Sequence, residues 1–562
     1  MRIVIVGGVA AGMSAAARAR RLDESAEIIV LEKGPEVSFA NCGLPYHVGG
    51  EIADPEELLL QTPQTLRASL DLDVRTHHEV VSIDPVARTV RVVHPDGQDT
   101  IAYDALVLAP GAVAVRPPVD GLDSPRVRTL RTVADAVALR SAVESGARSA
   151  VVLGAGFIGL EAAEALAQEG LRVAVVELAP HVLPPLEREL AALVRAELVR
   201  LGIDVHDGVA ASRIDTGADA DRVVLADGTA LDADLIVLSA GVRPDTAFAE
   251  AAGIATQRGA IVVDAHGRTS VPGIWAAGDA TVSTDAVTGA ARPVALAGPA
   301  NRAGRLIADD ILGAGTARAI PTAVGTAIVR VGSLTAALTG ANRATLDAAG
   351  IGYRTLHLHP NQHAGYFPGA TSMHVVVHVR AGDGLLLGAQ AVGADGVDKR
   401  IDVIATAIRA GFAGEDLIDL DLAYAPPYGQ AKDAVNLVGM VAENVAEGRL
   451  RLWYADELDE VSQNALILDV RSRAEYARGH VAGALNVPHT ELRDRIAEVT
   501  EAAEGRPVRV LCAAGVRSNI AHRALVGHGF DSASLSGGMQ TLEAWHDADI
   551  SRILVTEGAL AC

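Results

Sequence analysis

At 562 residues the chain exceeds what one hydrophobic core organises, so three or four domains are expected. With 49% hydrophobic and 21% charged residues and 56 glycines, the composition is that of an Ala-, Val- and Gly-rich α/β protein rather than a disordered one. A net charge of -22 without a basic stripe repels polyanions and argues against nucleic acid as a partner; no apolar run reaches the roughly 20 residues of a membrane-spanning helix.

The chain starts MRIVIVGG, a buried-strand pattern and not a charged leader with an apolar stretch, so a soluble cytoplasmic protein is expected. Three cysteines, Cys42, Cys512 and Cys562, are too few and too scattered for a disulfide framework or a closed metal site. No metal is expected, Cys562 reads as an incidental terminal thiol, and thiol chemistry at Cys42 or Cys512 must be done without a CxxC partner.

In chain order, the strand Ile3 to Val6 runs into Gly7-Gly8-Val9-Ala10-Ala11-Gly12, and a helix is predicted from Met13 to Leu22. Such a turn lets backbone N–H groups and a helix N-terminus approach a pyrophosphate. The next strand ends at Glu32, placed to accept ribose hydroxyls. A fuller copy of the fingerprint follows at Gly154-Ala155-Gly156-Phe157-Ile158-Gly159, with a helix to about Gly170 and a strand ending at Glu177. The segments LVLAPG, ending at Pro110-Gly111, and IVLSAG, ending at Gly241, accompany the two copies. Far downstream, TSVPGIWAAGD delivers Gly278-Asp279, whose carboxylate is suited to a flavin ribityl hydroxyl.

Between the two turns, Ser38-Phe39-Ala40-Asn41-Cys42-Gly43-Leu44-Pro45-Tyr46 places a lone cysteine before a helix-like stretch, where N–H donors are expected to lower its pKa. Toward the C-terminus, DVRxxxEYxxGHVxGA from Asp469 and CAAGVRS from Cys512 follow two apolar strands. A loop of that kind turns successive N–H groups inward around the sulfur. Arg517 lies five positions after Cys512, a ring better sized for a persulfide sulfur than for a phosphate.

The two fingerprints together resemble the pyridine nucleotide-disulfide oxidoreductases, and SFANCGLPY resembles their coenzyme A-disulfide and NADH-dependent persulfide or polysulfide reductase group; the C-terminal motifs resemble rhodaneses. The resemblance implies an α/β chain with two nested Rossmann-like dinucleotide-binding domains, an α+β dimerisation domain and a C-terminal α/β rhodanese domain. The implied layout is FAD-binding at 1–115 and 245–315, NAD(P)H-binding at 116–244, dimerisation at 320–445 and rhodanese at 455–562. To the FAD contacts it adds Lys33, Asn41, Val80, Pro110 and Gly111. Glu177, with no Arg beside it to greet a 2′-phosphate, favours NADH, NADPH being the second choice.

The resemblance also implies a homodimer in which Tyr366, Tyr424 and Tyr428 of one subunit complete the Cys42 site of the other. It assigns Ser14, Arg18, Arg21, Ser38, Asn41, Asn301 and Lys432 to a channel for coenzyme A, either as substrate moiety or as bound ligand. Cys42 would cycle through a mixed disulfide, a persulfide or a sulfenic acid, and Cys512 would carry sulfane sulfur. The expected activity is reduction of small disulfides, persulfides or polysulfides by NADH through FAD. The alternatives are an NADH oxidase or peroxidase cycling a Cys42 sulfenic acid, and a redox-sensing sulfur carrier.

Overall fold

The computed structural model describes residues 1–313, 315 and 317–556, so Cys562 lies outside the described residues. The chain forms two compact units, one of Met1–Pro180 with Leu198–Gly325 and one of His181–Glu197 with Thr326–Cys562. The piece His181–Glu197 lies inside the 116–244 stretch of the sequence layout, yet it packs in the second unit.

Two parallel five-stranded sheets organise the first unit. In one the order is Ile274–Ala276, Ala105–Leu108, Arg2–Val6, Glu27–Leu31, Asp73–Arg75; in the other it is Asp204–Asp207, Arg172–Glu177, Ser149–Leu153, Leu235–Leu238, Val127–Arg128. Their central strands read IVIV and AVVL without polar interruption because both faces are covered by helices or loops. Each glycine turn leaves the C-terminal end of its sheet's central strand. The short strands Ala112–Ala114 and Val242–Pro244 pair antiparallel where the chain crosses between the sheets. Each starts just after a left-handed glycine, Gly111 at φ 72° and Gly241 at φ 99°.

The helix after the first turn begins at Ala10, three residues earlier than its periodicity predicts, with Val9 as N-cap. Ala10 and Ala11 are small enough to enter the helix within the turn, which brings the helix N-terminus to the strand's end.

In the second unit an antiparallel sheet runs Ala327–Val331, Leu334–Gly340, Leu386–Gly393, Met373–Arg380, Tyr353–Leu358. The helices Val397–Ala410 and Ala434–Ala446 share its apolar core. A second, parallel sheet follows in the order Leu452–Trp453, Ser532–Leu535, Val508–Leu511, Leu466–Asp469, Leu485–Asn486. Cys512 follows its central strand directly. No helix among the described residues is long and apolar enough to cross a membrane.

Candidate active sites

The two glycine turns are built alike. Gly7 sits at φ 99°, and a Cβ there would lie 2.0 Å from the Ala109 carbonyl oxygen; one at Gly12 would lie 1.9 Å from the Gly7 oxygen. In the second turn a Cβ at Gly154 would lie 2.5 Å from the Ser239 oxygen and one at Gly159 again 1.9 Å from the Gly154 oxygen. Only glycine permits these contacts. Val9 takes the middle position with φ -115°, outside the left-handed region that would call for glycine, whereas Gly156 leaves open space around its Cα. Phe157 and the part-exposed Ile158 open the second helix.

Both acidic strand ends are already oriented. Glu32 accepts from the Gly8 N–H at 2.7 Å and the Gly34 N–H at 2.8 Å, and Glu177 accepts from the Ala155 N–H at 2.6 Å and the Ala179 N–H at 2.8 Å. Beside Glu32 a cavity of about 420 Å³ is lined by Gly7, Lys33, Val80 and Pro110, together with His78 and Asp245. Lys33 is ion-paired there with Asp245, a residue the sequence reading did not single out. Across the sheet's C-terminal edge, Gly278 at φ 78° opens a 3₁₀ turn carrying Asp279. The Asp279 carboxylate makes no side-chain hydrogen bond among the described residues, and burial raises its pKa while Arg131 opposes the shift. A glycine cradle, an oriented carboxylate, a cavity of nucleoside size and an unpartnered acid are what a dinucleotide such as FAD requires.

Cys42 lies in the 3₁₀ turn Asn41–Gly43, directly before the helix Leu44–Val48, and is exposed like its neighbour Asn41. Ser38, at the start of the segment, is left-handed at φ 49°, and its N–H donates to the Gly8 oxygen at 2.8 Å, tying the cysteine segment to the glycine turn. The expected lowering of the Cys42 pKa is overturned. Surrounding protein pushes the thiol up, and the carboxylates of Glu161 and Asp279 push it further. Glu161 belongs to the helix Phe157–Gln168 that opens at the second glycine turn, so Cys42 feels one acid from each dinucleotide fold. The Tyr46 hydroxyl approaches Glu161 Oε1 at 3.4 Å.

Of the channel residues, Ser14 and Asn301 meet: the Ser14 hydroxyl donates to Asn301 Oδ1 at 2.6 Å across 287 positions of sequence. Arg18 is ion-paired with Asp309 at 2.6 Å, so a phosphate there must compete with a carboxylate, while Arg21 donates only to the Ala17 oxygen at 3.3 Å. In the second unit Tyr366, Tyr424 and Tyr428 are all exposed, and the Tyr366 and Tyr424 hydroxyls lie 3.1 Å apart. That hydrogen bond raises the Tyr424 pKa. Lys432 is exposed, and the next residue, Asp433, caps the helix Ala434–Ala446 and pairs with buried Arg400 at 2.7 Å.

At the second cysteine, Gly515 takes φ 95° and its N–H points at Cys512 Sγ at 3.2 Å; Ser518 Oγ lies 3.4 Å from the same sulfur. Arg517, expected to stabilise the sulfur together with the loop amides, interacts with Cys512, and its fork also grips Glu475 through two 2.7 Å bonds, which raise the Arg517 pKa and hold Glu475 well below the usual carboxylate range. Glu475 is the Glu of the DVRxxxEY stretch, so its signal was present in the sequence without its role. The Asp469 of that stretch is spent on Arg471, at 2.6 Å.

The family model for pyridine nucleotide-disulphide oxidoreductases matches residues 1–297, and that family's dimerisation domain matches 326–435. The chain belongs to this family. A rhodanese-like domain matches 452–546. The fold and domain content are those of reduced CoADR-RHD from Bacillus anthracis, with a TM-score of 0.95 and 38% identity over 99% of both chains. A NAD-dependent persulfide reductase from A. fulgidus superposes with a TM-score of 0.90 and 37% identity over 96% of this chain and 100% of that one. A coenzyme A disulfide reductase from Staphylococcus haemolyticus is 33% identical over 79% of this chain and 100% of its own length. The present chain is thus an oxidoreductase of this family joined to a rhodanese-like domain.

Proposed function

We propose that this chain is a cytoplasmic, homodimeric, FAD-dependent reductase that uses NADH to reduce coenzyme A disulfide, coenzyme A persulfide or related polysulfides at Cys42, and that its C-terminal domain transfers sulfane sulfur at Cys512. The observation that supports the reading is that the Cys42 segment is tied to the first glycine turn through the Ser38 N–H on the Gly8 oxygen, while Cys42 feels the charges of Glu161 from one dinucleotide fold and Asp279 from the other. Cys42 is thereby read as the sulfur that receives the electrons, with no second cysteine near it in the sequence to close an internal disulfide. The names of the similar proteins support the substrate class.

FAD, when bound, takes hydride from NADH and passes two electrons on to sulfur. The chain would hold it through the Gly7 to Gly12 turn, Glu32, Lys33, Val80, Pro110 and Asp279, and would hold NADH through Gly154 to Gly159 and Glu177. The Cys42 thiolate attacks one sulfur of a disulfide R–S–S–R′; a Cys42–S–S–R′ bond forms, the substrate's S–S bond breaks, and RS⁻ leaves to take up a proton. Two electrons then return Cys42 to the thiolate and release R′S⁻. The exposed phenols of Tyr366 and Tyr424, from the partner subunit, serve as proton donors to the leaving thiolates. Ser14, Asn301 and Arg18 line the approach for the substrate's phosphate-bearing portion. At Cys512 the N–H groups of the loop and Arg517 hold the terminal sulfur of a persulfide.

Steady-state NADH oxidation with coenzyme A disulfide, coenzyme A persulfide, polysulfide, peroxide and oxygen, compared side by side, tests this. The expected order puts a sulfur substrate first. Fastest turnover with oxygen or peroxide would replace the reading by an oxidase or peroxidase, and uniformly slow turnover by a sensor.

A further inference from the structure

A buried polar chain in the second unit leads from the segment His181–Glu197 to the backbone of the Cys512 loop. Glu189, at the start of the helix Arg188–Arg200, receives Arg343 at 2.6 Å and lies 2.8 Å from His357 Nε2. With Nε2–H directed at that carboxylate, His357 Nδ1 is left to accept from the Ser536 hydroxyl at 2.7 Å, and the His357 backbone N–H reaches the same oxygen at 3.3 Å. His357 lies on the strand Tyr353–Leu358 of the antiparallel sheet, whereas Ser536 follows the strand Ser532–Leu535 of the parallel sheet. His357 and Ser536 are both buried, so this Glu, His, Ser alignment has no access to a substrate.

Ser536 leads into Gly537 and Gly538, consecutive left-handed residues at φ 71° and 64°. The turn has no slack: a Cβ at Gly537 would lie 2.7 Å from His357 Cβ and 2.9 Å from His359 Nε2, and one at Gly538 would lie 2.4 Å from the Cys512 oxygen. From the helix Gly538–His546 that follows, the Met539 N–H donates to the Cys512 oxygen at 2.8 Å and the Gln540 N–H to the Ala513 oxygen at 3.1 Å. In a trans peptide the next N–H points opposite to the carbonyl. These two bonds therefore set the direction of the Ala513 and Ala514 N–H groups, which precede in the loop the Gly515 N–H that points at the sulfur.

The same helix makes two further contacts, one to His359 just past the strand Tyr353–Leu358 and one to arginines that open two helices. Thr541 Oγ1 lies 2.9 Å from His359 Nε2, and the Trp545 ring lies 5.5 Å from the Arg343 guanidinium and 5.7 Å from that of Arg188. Glu187 completes the network through Arg343 at 2.9 Å and His378 at 2.9 Å. Burial keeps His357 toward its neutral form against the pull of Glu189, which suits an imidazole that accepts from Ser536.

We propose that His357 is a positioning residue for the sulfurtransferase loop, acting through Ser536 and the Gly537-Gly538 turn on the Cys512 and Ala513 carbonyls. It touches neither substrate nor sulfur. The dimerisation sheet, by this route, holds the donor groups of the rhodanese-like domain in their working direction. The inference rests on the reading of Cys512 as a sulfane-sulfur carrier.

The test uses the full-length, FAD-loaded protein with Ser536→Ala, His357→Ala and His357→Asn. Asparagine keeps a polar atom near the Nδ1 position and can still meet Ser536, whereas alanine cannot. In Ser536→Ala and His357→Ala, kcat for sulfur transfer from thiosulfate should fall about tenfold, as expected when oriented donors are lost, with KM unchanged. His357→Asn should recover most of the rate. NADH-dependent reduction at Cys42 should stay at the wild-type value and serves as the gauge of folding. Hydrogen exchange, read on peptides covering 512–518 and 537–546, should quicken in both alanine variants and not elsewhere in the parallel sheet. Unchanged kcat and exchange in Ser536→Ala would overturn the proposal, as would a His357→Asn protein no better than His357→Ala. If the wild type transfers no sulfur, the reading of Cys512 fails while the exchange measurement still decides whether His357 holds the loop.

Discussion

Cys42 and Cys512 are both single thiols next to a turn that opens a helix, and their surroundings are opposite. Cys42 is exposed, yet surrounding protein raises its pKa and the charges of two carboxylates, Glu161 and Asp279, raise it further. Cys512 is buried and faces the Gly515 N–H and an arginine clamped by Glu475, and its thiol donates to Ser518 Oγ. Carboxylates disfavour a resting thiolate, so they oppose the proposed attack by Cys42 and favour the protonated thiol at rest. Donors favour a sulfur that keeps negative charge while it waits for an acceptor. The contrast shows that a lone cysteine in a sequence is defined by the sign of what surrounds it.

The most severe way to break the comparison is to remove each sulfur. Cys42→Ser should abolish reduction of disulfides and persulfides, because serine forms no mixed disulfide, while NADH-driven reduction of an artificial dye persists. Cys512→Ser should abolish sulfur transfer from thiosulfate and leave reduction of small disulfides intact. Loss of dye reduction in Cys42→Ser at full FAD content would count against the relay, and loss of disulfide reduction in Cys512→Ser would show that the sites are not separable.

Next in size is the clamp on the donor side. Arg517→Lys removes a two-pronged bond that lysine cannot make, and sulfur transfer should fall roughly ten- to a hundredfold. Glu475 is held well below the usual carboxylate range by that bond, so the pair's contribution is complete above the ordinary carboxylate pKa and is lost only as pH falls into strong acid. Sulfur transfer that declined steeply between neutral and mildly acidic pH through Glu475, and became flat in Glu475→Gln, would contradict this.

A smaller effect concerns the dinucleotide that feeds Cys42. A 2′-phosphate would meet the Glu177 carboxylate and displace its role toward ribose, so NADH should be preferred over NADPH by about 1–3 kcal/mol, or roughly five- to 150-fold in kcat/KM. Equal specificity constants would sink this expectation. The smallest effect sharpens the electrostatic contrast itself. Glu161→Gln removes one negative charge facing Cys42, which lowers the raised thiol pKa and increases the thiolate fraction at neutral pH. Alkylation of Cys42 by iodoacetamide should quicken about two- to fivefold and its pH profile should move to lower pH, in line with one screened charge; an unmoved profile would show that burial alone sets the shift.

The fold class was legible because its signals are local. Gly12 and Gly159 each answer a clash with the carbonyl of the glycine five positions before, and the acids Glu32 and Glu177 follow within the same strand, turn and helix unit. The Cys512 loop was legible for the same reason. Asp245 beside Lys33, Asp309 on Arg18 and Glu161 near Cys42 carried no such signal, since each comes from an element more than a hundred positions away. The early start of the first helix was missed because alanines at Ala10 and Ala11 look the same in a turn and in a first helical turn.

The sequence by itself determined the glycines of the two fingerprint turns, the strands buried on both faces and the positions of the two candidate sulfurs. Those properties follow from φ preferences and from hydrophobic periodicity within a few residues. Only the tertiary structure decided the sign of the field at Cys42, the partner of Arg517 and the route from Glu189 through His357 to the Cys512 loop. Coulomb and hydrogen-bond energies depend on separation and burial in space, and the spacing of those groups along the chain carries no record of either.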